Sequence, residues 1–147
     1  MGREDDRGEV EHLLVEWNSL RVTEAYRRVH FTLLRDEVLS RWEQSGPHDR
    51  TAEHFVQHRR ARAASALAEI LDLEERSDAS YVSCHAEMAT VARLSARERS
   101  RALAKIRGVV ERALSEEIRF RTTLVSTLHH EVNELSAFVD EKLGSPE

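Results

Sequence analysis

The chain has 147 residues, of which 33% are charged and 5% aromatic, with five glycines, two prolines and a net charge of −5. This composition is not that of a sheet protein or a disordered chain, and the acidic balance argues against a general nucleic-acid binder. Because Cys84 is the only cysteine, no intrachain disulfide can form, and a reducing compartment is expected.

The two ends of the sequence predict short flexible tails. The acidic start, Met1-Gly-Arg-Glu-Asp-Asp, has neither the apolar segment of a signal peptide nor the character of a transit peptide. No apolar run reaches the ~18 residues of a membrane span. We therefore expect a soluble intracellular protein of the cytoplasm or cytoskeleton, with flexible tails at 1–8 and 144–147 around one domain at 9–143.

A first helix is predicted from about Glu9 to Gln44, because apolar residues recur there every three or four positions without an interrupting proline. The phase of this stripe slips twice, which turns it around the helix and lets it meet more than one neighbour. The three groups are Val10, Leu13, Leu14, Trp17 and Leu20; Val22, Tyr26, Val29 and Leu33; and Leu34, Val38 and Trp42.

A second and a third helix follow the turn at 45–50, where Gly46-Pro47 ends the first helix. Asp49 or Thr51 can cap the second helix, which is expected to reach about Arg76 and whose alanine-rich middle permits close approach by another helix. The weaker break at 77–80 predicts a short third helix over about 78–93.

The last helix begins at Ser95-Ala-Arg-Glu98, which has the pattern of a capping box. It is expected to run to Leu143, with Gly144 as a left-handed cap, over a length of about 70 Å. A single helix over 79–143 is the alternative. The early apolar positions are Leu103, Ile106, Val110, Leu114 and Ile118; the later ones are close to heptad spacing and have no intrachain partner of matching pattern.

These patterns predict an all-α fold: an elongated antiparallel bundle of three long helices and one short, with a coiled-coil-like C-terminal helix. The basic residues of 97–112 are expected to lie beside the acidic residues of 69–78, as surface ion pairs. Five late heptad residues and Phe138, which lies off the heptad seam, are called the C-terminal stripe below and are predicted to contact a partner. The C-terminal stripe comprises Val125, Leu128, Val132, Leu135, Phe138 and Val139.

Two clusters suggest other chemistry. His54 and His58 lie four residues apart on one helical face, so they can share a metal ion, with Cys84 or His85 from the next helix completing the site. A zinc protease would carry a glutamate directly after its first histidine, but Phe55 follows His54 here. The alternative is that His54 and His58 simply lie on a solvated face of the second helix. The basic clusters, which lack interleaved aromatics for stacking bases, are Arg59, Arg60 and Arg62, and Arg97, Arg99 and Arg101.

No catalytic constellation or cofactor motif accompanies these features. We therefore predict a non-enzymatic structural or adaptor subunit of a larger assembly, such as a cytoskeletal or ciliary scaffold or an accessory subunit of an organellar complex. It would form homo- or hetero-oligomers through the C-terminal helix, without a cofactor. A metal-binding or catalytic bundle using His54 and His58 is the first alternative, and a nucleic-acid-associated protein using its arginines is the second and is disfavoured.

Overall fold

The computed structural model describes the backbone of residues 3–144 and the side chains of residues 6–144. This part of the chain contains helices and no strands, which confirms the all-α class. There are three helices, and the third contains a π-helical turn at Glu117–Arg121. Their segments are α1 (Arg3–Gln44), α2 (Arg50–Val91), and then α3 (Ala96–Glu116), the π turn and α4 (Thr122–Leu143) in direct succession.

The predicted count of four helices is wrong, because α2 continues through the serine-rich segment at 77–80. Serine and aspartate there lower helix propensity only slightly, and no glycine or proline breaks the backbone. Tertiary partners support the segment as well: Ser77 donates to Glu117, and Asp78 accepts from Arg21. Weak local propensity is thus overridden by packing.

Other boundaries match the sequence. The break at 94–95 is confirmed, since α3 starts after Ser95, whose hydroxyl accepts from the Glu98 amide at 3.3 Å. Asp49 caps α2 by accepting from the Ala52 amide at 2.8 Å. Gly144 adopts the left-handed conformation, with φ +85°, and donates to Asp140. In contrast, α1 begins six residues earlier than predicted, and residues 1–2 and 145–147 of the expected tails lie outside the described residues.

The backbone divides into two compact units, each described by itself. Unit 1 comprises Met1–Thr23 and Asp72–Arg121, and unit 2 comprises Glu24–Leu71 and Thr122–Glu147. The expectation of a single domain at 9–143 stays a prediction.

Unit 1 is an up-down-up arrangement of three helix segments. α2 runs antiparallel to α1, because Trp17 meets Tyr81 edge-on at 5.5 Å and Arg21 pairs with Asp78. α3 runs parallel to α1: Glu9 pairs with Arg107 at 2.6 Å, and further along both helices Trp17 meets Glu117. The core between these segments comprises Val10, Leu14, Trp17, Cys84, Met88, Val91, Leu103, Ile106, Val110 and Leu114.

Unit 2 has the same topology, with its core in two clusters. Phe31 of α1 packs with Ala63, Ala66 and Ile70 of α2 and with Val125, Leu128 and Val132 of α4. Nearer the α1–α2 turn, the second cluster comprises Val38, Leu39, Trp42, Ala52, Val56, Leu135 and Val139, with Phe138 packed against it. The expectation that the C-terminal stripe lacks an intrachain partner is therefore wrong: five of its six residues are fully buried against α1 and α2.

Candidate functional site

The sequence-predicted metal candidates are not brought together. His54 and His58 are exposed on α2 in unit 2, whereas Cys84 is buried and His85 exposed on α2 in unit 1. Because α2 continues through 77–80, the turn that was to place Cys84 and His85 on a separate neighbouring helix does not exist. Among the described residues, no three His, Cys, Asp or Glu side chains are grouped as metal ligands would be.

The first basic cluster is largely engaged within unit 2. Arg59 and Arg62 both donate to Glu131 at 3.0 Å, and Glu131 is fully buried. Arg60 pairs with Glu43 at 3.1 Å. A buried carboxylate such as Glu131 needs charged partners, so Arg59 and Arg62 have a structural role in the folded chain.

The second basic cluster lies at the start of α3. Arg97 and Arg101 are exposed, while Arg99 donates to the Leu94 carbonyl at 3.1 Å and so closes the α2–α3 connection. The predicted pairing of 97–112 with 69–78 is wrong for Arg107, which contacts Glu9 on α1. Arg99 and Arg107 therefore have structural roles in the folded chain.

The most unusual group of side chains surrounds the π turn in unit 1, and we call it the π cluster: Trp17, Ser77, Glu117 and Arg121. Nη1 of Arg121 donates to both Glu117 oxygens at 3.2 Å. Glu117 also accepts from the Trp17 indole at 3.4 Å and from the Ser77 hydroxyl. Glu117 and Arg121 are only 4% and 2% exposed, so an ion pair occupies positions that apolar residues fill elsewhere in the core.

The π turn follows Leu114, the last buried apolar position of α3, after two residues. Glu117 and Arg121, at the two ends of the turn, are buried, and Ile118 is exposed. Ile118, predicted for the apolar stripe, is 59% exposed, and Phe120 is exposed beside it. A fully buried tryptophan usually finds an acceptor for its indole N–H, and Glu117 supplies one here. Single π turns occur frequently at functional sites.

A cavity of about 320 Å³ adjoins the π cluster within unit 1. Its walls combine the apolar surfaces of Leu73 and Ala113 with the polar groups of Ser80 and Arg121. The buried lining residues, which form the floor of the cavity, are Trp17, Glu117 and Arg121. The rim is exposed and includes Ala79, Arg76 and Glu116.

The guanidinium group of Arg121 also makes contacts beyond Glu117. Its Nη2 atom donates to the Arg21 carbonyl at 3.3 Å and lies 3.7 Å from Glu74. The Nε atom of Arg121 is buried and has no acceptor among the described residues.

A second feature lies on α1 in unit 2 and is called the α1 stripe: Tyr26, Val29 and Leu33. The sequence analysis assigned these residues to the apolar face of α1, and the groups before and after them do contribute to the cores. The α1 stripe itself is on the surface, with Tyr26 74% and Leu33 64% exposed. The two phase slips of α1 therefore mark its change from buried to exposed and back.

No protein-family model matches this chain, and neither a curated protein nor a solved structure provides a match. Within residues 3–144, no helix has both the length and the mean hydropathy needed to cross a membrane. Functional inference therefore starts from the π cluster with its cavity and from the α1 stripe.

Proposed function

We propose that this protein is a non-enzymatic adaptor that binds an amphipathic helix of another protein along the α1 stripe. The single observation that supports this proposal is the exposure of three large apolar side chains at positions i, i+3 and i+7 of one helix. Isolated exposed apolar residues are normal on proteins, but a row at this spacing is what a partner helix contacts.

The surroundings of the α1 stripe specify the chemistry of the partner. One turn beyond Leu33, Asp36 and Glu37 continue the same exposed face, so an apolar surface is followed by an acidic one. Within the described part of the chain, the ion-pair partner of Asp36 is its neighbour Arg35, at 2.9 Å, and the Asp36 side chain remains 57% exposed. A partner helix with an apolar face that ends in lysine or arginine complements this surface, and the chain's net charge of −5 favours the same partner.

A second copy of the chain is a poorer occupant. Three side chains offer much less than the ~800 Å² per partner that a stable interface of standard size buries. Two copies would also carry the same net negative charge, which opposes their association. The surface suits a modest, exchangeable contact, as expected of an adaptor.

The test uses a photo-crosslinking amino acid at position 33 and, as the control, at Leu71, an exposed apolar position on α2 of the same unit. We expect a discrete protein adduct from position 33 and none from position 71. The partner identified in this way is then purified for binding measurements, because an adduct alone does not establish specificity.

Leu33→Asp should weaken binding of the purified partner at least about 10-fold, since truncating a central apolar contact often costs more than 1.4 kcal/mol. Leu71→Asp should not, and both variants should change the free energy of unfolding by no more than about 0.5 kcal/mol. Asp36→Asn/Glu37→Gln should slow association and reduce its salt dependence. Equal binding by Leu33→Asp and Leu71→Asp, or self-association through the α1 stripe, would overturn the proposal.

A further inference from the structure

We propose that the solvent face of α3 binds an acidic helix of another protein through a row of four cations. We call this row the basic face: Arg97, Arg101, Lys105 and Arg112. It lies in unit 1, so the inference goes beyond the proposed function and is independent of the α1 stripe.

The basic face lies on the side of α3 that faces away from the core. Its four residues and Gly108 follow one another at steps of 4, 4, 3 and 4 residues, and all of them are exposed. At about 3.6 residues per turn, this row is centred half a turn away from the buried positions of α3. Those buried positions are Leu103, Ile106, Val110 and Leu114.

The chain does not neutralise the basic face itself. Among the side chains that the structure describes, at 6–144, none of the four cations is paired with a carboxylate. The neighbouring cation Arg107 is different, because it pairs with Glu9 at 2.6 Å and with Glu111 at 3.2 Å. The basic face is therefore available to a partner, whereas Arg107 is engaged within unit 1.

The basic face lowers the stability of the free chain in three ways. Like charges four residues apart on a helix repel each other, as Arg97, Arg101 and Lys105 do. Arg97 also lies in the first turn of α3, where the helix dipole disfavours a cation. Gly108 weakens the helix interior, and a Cβ there would meet nothing within 4 Å, so packing does not require glycine. Local costs without compensation inside the chain are typical of a functional surface.

The spacing of the basic face specifies the geometry of the partner. Residues four apart on a helix, such as Arg97 and Arg101, are about 6 Å apart along its axis. Carboxylates that recur at the same interval on a neighbouring helix can therefore each meet one cation. Gly108, between Lys105 and Arg112, has no side chain to hold the partner's backbone away. The partner's negative charge also complements the positive N-terminal end of the α3 dipole.

The residues around the basic face favour a protein helix over a nucleic acid or a membrane. Glu98 and Glu111 are exposed on its two sides, and a uniformly anionic partner would be repelled by both. A protein helix can place its carboxylates only opposite the cations. In addition, α3 has no aromatic residue for stacking bases and no largely exposed large apolar residue for anchoring in a membrane.

The test titrates the full ¹⁵N-labelled chain with two alanine-rich helical peptides of about 24 residues and identical composition. The matched peptide carries four glutamates at the spacing of the basic face. The control peptide carries them at intervals of five residues, which spreads them around the helix. The backbone amide of Gly108 reports binding, and that of Gly8, an exposed glycine of α1, is the internal reference.

We expect saturable shifts of the Gly108 amide with the matched peptide at about 50 mM salt, and weaker binding as the salt concentration rises. The control peptide should bind at least about 5-fold more weakly, because it can form only part of the ion pairs. The Gly8 amide should not shift with either peptide.

A pair of charge reversals locates the binding. Arg101→Glu should weaken binding of the matched peptide about 10-fold, since it replaces an attraction by a repulsion. Arg50→Glu, at an exposed position at the start of α2 in unit 2, changes the net charge equally and should leave the affinity unchanged. Arg101→Glu should not lower the thermal unfolding midpoint, because it separates like charges on α3.

Two further probes test the other classes of partner: poly(U) RNA, and phosphatidylcholine vesicles with about 30% phosphatidylserine. Both should bind more weakly than the matched peptide. Tighter binding of either probe, equal affinity for the two peptides, or equal losses in Arg101→Glu and Arg50→Glu would each overturn the proposal, as would the absence of a saturable Gly108 shift. None of these results bears on the α1 stripe.

Discussion

In unit 1 and unit 2 alike, segments of α1 and α2 cover one face of the third helix, but the spacing of the covered residues differs. In unit 1 the buried positions of the third helix follow one another at steps of 3, 4, 4, 3 and 4 residues from Leu103 to Arg121, an average of about 3.6. In unit 2 the buried apolar positions follow at steps of 3, 4, 3 and 4 residues from Val125 to Val139, an average of about 3.5. A spacing of 3.6 matches the regular α-helix, whereas a spacing of 3.5 is the heptad spacing and drifts slowly around a straight helix, so the covered face runs differently in the two units.

The units also differ in how they bury charge. In unit 1 both members of the Glu117–Arg121 pair are buried. In unit 2 Glu131 is buried, but the side chains of its partners Arg59 and Arg62 are 25% and 56% exposed to solvent. A cation that reaches water can be resolvated when its partner is lost, and a fully buried one cannot. Loss of one partner should therefore lower the free energy of unfolding more at the Glu117–Arg121 pair than at the Glu131 pairs.

The largest expected effect is that of Arg121→Met. It leaves the Glu117 carboxylate buried without its cation, which typically costs 3–5 kcal/mol. Urea unfolding measures the loss, and Arg119→Met, on the exposed side of the same turn, is the control and should cost less than about 1 kcal/mol.

A second variant separates loss of the pair from loss of packing. Glu117→Gln combined with Arg121→Met removes both charges, so it should recover part of the stability lost in Arg121→Met alone. If Arg121→Met costs no more than Arg119→Met, the buried pair is not what distinguishes unit 1.

A smaller effect is expected at the corresponding site of unit 2. Glu131→Gln keeps one acceptor oxygen and lets Arg59 and Arg62 turn to water, so we expect a cost of about 1–2 kcal/mol. Arg62→Ala should cost at most about 1 kcal/mol, because most of that side chain is already solvated. If Glu131→Gln lowered the free energy of unfolding as much as Arg121→Met does, the exposure of Arg59 and Arg62 would not reduce the cost of breaking the pair.

The smallest expected effect depends on pH. Burial, and secondarily the charge of Glu87, raises the pKa of the Cys84 thiol in the folded chain. The folded state thus keeps a proton that the unfolded thiol loses near its ordinary pKa of about 8.5, and stability declines as the pH rises above that value.

The measurement compares unfolding free energies of the natural chain and Cys84→Ala at pH 7.5 and 9.5. The natural chain should lose more stability between the two, by at most about 1.4 kcal/mol per pH unit. Parallel losses in both proteins would mean that Cys84 makes no contribution to the pH dependence.

Much of the local structure could be predicted because its causes are local. The Gly46-Pro47 turn, the Asp49 and Ser95 caps and the Gly144 cap each follow from one or two residues. The break expected at 77–80 failed because Ser77 and Asp78 have partners on distant segments. A weak local signal was outweighed by contacts that the sequence does not display.

The candidate site illustrates the same limit. Glu117 and Arg121 are four residues apart, which suggests an ordinary surface pair, and Ile118 between them continues an apolar stripe. The signal that could have indicated otherwise is the spacing of the stripe, since Glu117 lies three residues after Leu114 and seven after Val110 and so continues the core through a charged residue. The hydrogen bond from the Trp17 indole to Glu117 joins residues one hundred positions apart, so no local sequence pattern could predict it.

The sequence by itself determined that the chain is helical and where most helices start and stop, since composition, periodicity and capping act over a few residues. Only the tertiary structure decided which apolar face is covered: it buries the C-terminal stripe within the chain's own core and leaves Tyr26, Val29 and Leu33 outside. The physical reason is that burial depends on the residues of all three helices together. An apolar stripe shows that a helix needs a neighbour, but it does not show which neighbour provides the contact.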